Sequence, residues 1–341
     1  MKLTAPFPYF GGKRRAASAV WSRFGPVDRY VEPFAGSIAV LLSCPYGPRP
    51  IEVVNDLDGV ICNFWRAVRA DPQTTAHYAD YPTVHVDLVA RRARIQDKLD
   101  DLTSRLIDDP EYFDPKMAGW WVWCISNSIG NAGQRNGGQM GMPSIDAKRN
   151  AGKGVQRQRK NIDRPHIDDT GGGMGVQRHR KTYQGRHKSN SEEWLTPWFE
   201  ALSQRLSQTI VTCIDWKGVL SPTLLGITPG QIDSPKTTGV FLDPPYNTPG
   251  RNTNIYQKDS LTVANNVETW ALSPHPKYGI PAEHPRLRIC IAGYEGEYPR
   301  LDDWQKVPWK RAGGYENSGS KKKDRQEMLW FSPQVTSPTL F

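Results

Sequence analysis

The sequence predicts an α/β fold, a largely parallel sheet with helices on both faces, interrupted by an inserted module. Three observations predict it. Short apolar, β-prone runs alternate with helix-like stretches up to about residue 70, and the same alternation resumes from 194. Between them, about 71–193, the rhythm breaks. That middle segment also carries the chain's charge excess: between Lys148 and Lys188 stand twelve Lys and Arg against three Asp, matching the net +9 of all 341 residues. The organisation expected is therefore one discontinuous domain, 1–70 and 194–341, around an insertion at 71–193.

Taken in order, 29–34 and 51–56 read as buried strands, each followed by an amphipathic stretch, 37–43 and 57–69. A β-α-β-α order implies parallel strands joined by crossover helices. In the insertion, 88–106 reads as a helix. The apolar run 117–128 carries Trp120, Trp121 and Trp123, which at helical spacing are expected to pack rather than to serve as stacking platforms. A Gly/Arg/Gln-rich tract follows and repeats itself. Gly154-Val155-Gln156-Arg157-Gln158-Arg159-Lys160 returns as Gly175-Val176-Gln177-Arg178-His179-Arg180-Lys181, an offset of 21 residues. Two copies are too few for a solenoid and suggest paired loops or a basic hairpin. From 193 a helix to 206 leads into strands at 209–215, 239–243, 287–292 and 326–331.

Composition narrows the function classes. No run approaches the roughly 20 apolar residues of a membrane span, and the first residues lack the apolar core of a signal peptide. Cys44, Cys62, Cys124, Cys213 and Cys290 are scattered without C-x-x-C spacing, which favours reduced core thiols over zinc or disulfides. The expectation is a cytoplasmic protein with no metal. A basic segment of this density suits a polyanion, because each phosphate contact releases condensed counterions.

The chemistry gathers at strand ends. Val240-Phe241-Leu242 runs directly into Asp243-Pro244-Pro245-Tyr246. Two prolines remove two backbone donors and end the strand, and carboxyl ends of parallel strands are where ligands bind. One carboxylate, uncommitted carbonyls and one aromatic ring thus meet at a cleft. An exocyclic adenine amine is a poor nucleophile, because its lone pair is delocalised into the ring. Asp243 and the Pro244 carbonyl could hold both amino hydrogens, with Asp243 as general base. Tyr246 could stack on the base once it is extruded.

Upstream, Tyr30-Val31-Glu32-Pro33-Phe34-Ala35-Gly36-Ser37 reads as strand, tight turn and helix start capped by Ser37. It is not G-x-G-x-x-G, so a dinucleotide cradle is disfavoured. The next strand ends in Asn55-Asp56-Leu57-Asp58, where an acid could accept hydrogen bonds from ribose hydroxyls or cap the following helix. Pro6 to Arg14, with Gly11-Gly12 and the rings of Tyr9 and Phe10, reads as a flexible lid or equally as a plain Gly-Gly turn. Its rings could face a sulfonium, and Lys13 could meet a carboxylate.

These motifs in this order, F-x-G-G-K, E-P-F-x-G-S, N-D-x-D and D-P-P-Y, resemble the α-class, Dam-type DNA adenine methyltransferases. The resemblance covers about 1–70 and 194–335. It implies a Rossmann-like sheet that uses S-adenosylmethionine, with Tyr9, Lys13, Glu32, Phe34, Gly36 and Asp56 lining the cofactor site. Asp215 and Trp216 would hold the cofactor's adenine, and Asp243, Pro244, Pro245 and Tyr246 would be catalytic. The substrate implied is double-stranded DNA, in the cytoplasm of a bacterium or of a phage's bacterial host, and a monomer is the default. Where the family has glycine after E-P-F-x-G-S, this chain has Ile38, which would either crowd the methionine moiety or point into the core.

The family places target recognition in an insertion. Here Asn131, Gln134, Arg135, Asn136 and Gln139 offer bidentate partners for adenine and guanine in the major groove. Arg157, Arg159, Lys160, Arg178, Arg180 and Lys181 in the repeats are read mainly as phosphate anchors. The closing Ser337-Pro338-Thr339-Leu340-Phe341 loosely resembles peptides that dock on sliding clamps, although an ordinary apolar end is the favoured reading. Two other functions stay open on the sequence. One is methylation of cytosine amino groups or of RNA, which the aspartate at 243 disfavours. The other is a DNA-binding protein of the same fold with weak or lost catalysis, which Ile38 slightly favours.

Overall fold

A computed structural model describes residues 3–7, 13–82, 84–127, 191–228, 235–245, 262–273, 284–309 and 326–335. Seven strands form one sheet: β1 (Arg29–Glu32), β2 (Ile51–Asn55), β3 (Thr209–Thr212), β4 (Thr238–Leu242), β5 (Leu287–Tyr294), β6 (Gln305–Trp309) and β7 (Glu327–Phe331). Their order is β3-β2-β1-β4-β5-β7-β6, and β7 is antiparallel to both of its neighbours. All other pairings are parallel. β1 and β4 are buried at every residue, as strands covered on both faces must be.

Two hydrophobic layers cover the sheet. On one face Val31, Val53, Val240, Ile289 and Trp330 pack with Val219, Leu225 and Val267. These last three lie on a 3-10 turn (Gly218–Leu220), the short helix α9 (Pro222–Leu225) and α10 (Val263–Leu272). On the other face Tyr30, Val54, Phe241 and Cys290 pack with helices α1 (Ala17–Phe24), α2 (Ala39–Leu42) and α3 (Gly59–Ala70).

That second layer continues without a break into the helices of the interrupting segment. These are α4 (Pro72–Ala79), α5 (His85–Asp97), α6 (Leu99–Asp108) and α7 (Pro115–Ser126), joined by α8 (Ser191–Leu206), nearly all of which lies beyond that segment. Phe64 meets Trp121 at 5.4 Å and Phe199 at 6.0 Å between ring centroids, so α3, α7 and α8 share one core. Asn63 ties α3 to α7 by a reciprocal pair with Asp114, whose own side chain caps α7. Gly119 lets α7 close on α4, since a Cβ there would stand 2.6 Å from the Thr75 carbonyl. Trp121 and Trp123 are fully buried, as expected of packing residues.

Several local expectations change. The helix expected at 88–106 is two helices, broken at Lys98. Strand β6 and helices α1, α4 and α10 were not anticipated. Ser37 does not cap a helix: α2 starts at Ala39, preceded by Ile38 in the left-handed conformation with no side-chain cap. Phe7 is not part of a flexible lid, because its ring is buried against Phe64, Trp65 and Trp121.

Candidate functional site

Strand order reverses direction between β1 and β4, and a crevice opens at the carboxyl ends of such a pair. Glu32 is the last residue of β1, Asp56 follows β2, and Asp243 follows β4. Three acids named from the sequence therefore stand at adjacent strand ends. Lys13 joins them, its ammonium 2.8 Å from Asp243 Oδ2. The lysine meets a carboxylate as expected, but the carboxylate belongs to the protein.

The three acids differ in setting. Glu32 is buried and accepts a hydrogen bond from the Tyr30 hydroxyl at 2.9 Å. Burial pushes its carboxyl up to about 8, the neighbouring charges of Asp243 and Asp56 add to the rise, and the Tyr30 hydroxyl and the Leu41 N–H oppose it. Asp56 bridges two turns, accepting from the Gly36 N–H and from the Asp58 N–H, each at 2.9 Å. Burial raises its carboxyl too, against the pull of the backbone donors of Asp58, Gly36 and Leu57. Asp58, not Asp56, caps α3 through the Val60 N–H. Asp56 is thus left to face the turn after β1.

That turn is built by backbone geometry. Gly36 has φ 46° and Ile38 φ 45°, the latter the one non-glycine residue at positive φ among the described residues. Its side chain is fully buried in the core, which decides between the two orientations open from the sequence. The Trp65 indole N–H donates to the Gly36 carbonyl at 2.9 Å and fixes the turn from below.

An aromatic pair stands beside it. Phe34 and Trp216 lie 5.8 Å apart with ring planes 33° from parallel, joining the ends of β1 and β3. Trp216 is buried, while Asp215 is exposed and accepts from the Lys217 N–H. Asn55 does much of the positioning here, and sequence reading gave it no role. Its amide donates to the Pro33 and Ile214 carbonyls, both at 3.0 Å. It accepts from the Thr212 hydroxyl at 2.8 Å and the Ile214 N–H at 3.0 Å. One buried amide with four partners thus pins the ends of β1, β2 and β3 together. A buried asparagine ending a strand, right after Val53-Val54, is the signal that could have found it. Tyr30, one turn of the pleat before Glu32, was missed for the same reason.

Tyr9, Tyr246 and all of the expected DNA-reading and DNA-anchoring residues, Asn131 to Gln139 and Arg157 to Lys181, lie outside the described residues. Pro244 is buried and Pro245 half-buried beside Asp243. No group of three or more His, Cys, Asp or Glu residues arranged to hold a metal occurs among the described residues.

Residues 9–113 match the model of the family described as D12 class N6 adenine-specific DNA methyltransferase. The match supports DNA adenine methylation as the general activity. The mixed α/β architecture, with its mostly parallel seven-stranded sheet, is that of a Rossmann-like methyltransferase. The matched segment contains Lys13, Glu32, Phe34, Gly36 and Asp56, and ends before Asp215, Trp216 and Asp243. No curated relative matches the chain.

Proposed function

We propose, from the D12-class match at residues 9–113, that the protein transfers a methyl group from S-adenosylmethionine to the 6-amino group of an adenine swung out of double-stranded DNA. The observation that carries the proposal is the meeting of Glu32, Asp56 and Asp243 at the reversal point of the sheet, each on its own strand end. The residues fit such a cofactor. Buried Glu32 suits an ammonium, Asp56 suits ribose hydroxyls, and the tilted rings of Phe34 and Trp216 suit a flat purine edge, with Asp215 beside them. The positive φ of Gly36 brings backbone close to that space without a side chain. When bound, the cofactor supplies a methyl group activated on a sulfonium.

Asp243 and the Pro244 carbonyl hold the two amino hydrogens of the adenine, which turns its lone pair towards the methyl. Asp243 then takes up or relays the proton that the amine loses. Tyr246 stacks on the base, and Tyr9 lines the cofactor site. The buried floor excludes water from the transfer. In the insertion, Asn131, Gln134, Arg135, Asn136 and Gln139 read bases, while the two Gln-Arg-x-Arg-Lys repeats grip phosphates.

The test is direct. The protein is incubated with labelled cofactor and unmethylated DNA, the DNA is digested to nucleosides, and the labelled base is identified. Label on the 6-amino group of adenine supports the proposal, and label on cytosine, or none despite tight DNA binding, overturns it. For the insertion, replacing Arg157, Arg159, Arg178 and Arg180 by alanine flattens the salt dependence of DNA binding and leaves the preferred site unchanged. An unchanged salt slope with a lost preference reverses those roles.

A further inference from the structure

Two contacts of Lys13 bear on the proposed site. Its ammonium is 2.8 Å from Asp243 Oδ2 and 5.3 Å from the centroid of the Trp309 ring. Trp309 is the last residue of β6, at the far end of the sheet, with β5 and β7 standing between β6 and β4. β6 runs parallel to β5, because both are antiparallel to β7, so Trp309 ends on the same edge of the sheet as Asp243. Lys13 is only 5% exposed and Trp309 only 7%. The Lys13 carbonyl accepts from Ala17 N at 2.8 Å, which anchors the lysine at the start of α1.

We infer that Trp309 is a positioning residue for the proposed methyl transfer. Its ring face holds the Lys13 ammonium, and Lys13 in turn holds the Asp243 carboxylate in the attitude that receives the adenine amine. The inference rests on the reading of Asp243 given above.

The physics favours this division. A buried ammonium needs compensation from more than one side. An indole face on another side confines it, because the ring quadrupole attracts a desolvated cation. Among the described residues the Trp309 indole N–H has no hydrogen-bond partner, so packing and the cation orient the ring. Nothing in Trp309-Lys310-Arg311 announces this role in the sequence, since the partner lies almost 300 residues away in the chain.

Two measurements on the full chain test it. In the first, an amine-reactive reagent is followed by peptide mapping, without any assay of activity. Lys13 is protected in the wild type and labelled faster in Trp309→Leu, with Trp309→Phe between them. In the second, methyl transfer is measured for Trp309→Leu, Lys13→Met and the double variant. Trp309→Leu lowers kcat about three- to tenfold, the range expected of one cation–ring contact, with KM for cofactor and DNA unchanged. Trp309→Phe restores most of the loss. In the Lys13→Met background Trp309→Leu has no further effect, because the contact it removes is already gone. Labelling of Lys13 in Trp309→Leu at the wild-type rate overturns the inference whatever the activity. Losses that multiply in the double variant also overturn it. A wild type that labels no adenine overturns the reading of the function, and the labelling result still decides the contact. If Trp309→Leu does not fold, Trp309→Phe and Trp309→Tyr carry both measurements.

Discussion

Two buried glutamates on neighbouring strands are treated in opposite ways. Glu52 on β2 and Glu32 on β1 are both almost inaccessible. Glu52, near the amino end of its strand, receives a forked pair from Arg205 at 2.7 and 2.9 Å. The Thr209 hydroxyl and the Arg49 N–H complete its shell. Glu32, at the carboxyl end, has the Tyr30 hydroxyl and the Leu41 N–H, and two further acids nearby instead of an arginine. Burial by itself therefore does not mark a working acid. Burial without a compensating cation does, because the protein bears its cost at the edge where a cation is expected to arrive.

The largest expected effect tests the working edge as a whole. Asp243→Ala lowers methyl transfer at least about a hundredfold, the lower range for loss of a positioned proton acceptor. DNA binding measured by filter retention or anisotropy persists, since the arginines and lysines proposed to grip phosphates are unchanged. A variant that still methylates at the wild-type rate removes Asp243 from the mechanism.

The next two effects have opposite signs, which is the sharpest form of the comparison. Arg205→Met strands Glu52 and destabilises the fold by about 3–5 kcal/mol, read from denaturant midpoints. Glu32→Gln stabilises it at neutral and higher pH. The sign follows from the raised carboxyl. Glu32 in the folded protein keeps its proton up to about pH 8, against the ordinary 4.5. Below pH 4.5 folded and unfolded forms are both protonated there, and the variant gains nothing. Between 4.5 and 8 the unfolded chain ionises first, so the wild type loses stability as pH rises, and above 8 the loss is constant. The gain for Glu32→Gln grows over that window to on the order of 3–5 kcal/mol. The same variant weakens cofactor binding. In the wild type, affinity rises with pH towards 8, because Glu32 must give up its proton to meet an ammonium, and calorimetry in two buffers reads that proton release. A Glu32→Gln protein with the wild-type stability profile would separate the raised carboxyl from burial.

Much of this edge was legible in the sequence because strand ends are marked by local chemistry. Pro244-Pro245 must stop a strand, and Pro33 with Gly36 must turn one, so Asp56 and Asp243 could be placed on strand ends, and Glu32 near one, from the sequence alone. Parallel order followed from the alternation of strands and helices. What stayed hidden depends on pairing across the chain. Whether Glu52 or Glu32 finds an arginine is settled by Arg205, some 150 residues from Glu52. The clamp made by Asn55 and the reach of Lys13 to Asp243 are likewise long-range. β6 was missed because Gln305-Lys306-Val307-Pro308-Trp309 is an edge strand, largely exposed and interrupted by proline, and lacks the apolar run that betrays a buried one.

Ile38 gives the smallest effect and the most local one. A β-branched residue at φ 45° is strained by about 1–2 kcal/mol, yet its side chain is completely buried. Shortening it to alanine removes packing worth about 2–5 kcal/mol and keeps most of the backbone strain. Glycine loses that same packing and one further methyl, but relieves the strain. The ordinary ranking in a core, alanine above glycine, should therefore reverse: Ile38→Gly is more stable than Ile38→Ala by about 1 kcal/mol, a few degrees in melting temperature. Ile38 packs into the core below the turn, so both variants should bind cofactor with nearly wild-type affinity once folded. Alanine proving the more stable would mean that the turn relaxes out of the left-handed region when the side chain is cut. Gly36 and Asp56 would then be held together by their hydrogen bond alone, rather than by the conformation that Ile38 is forced to keep.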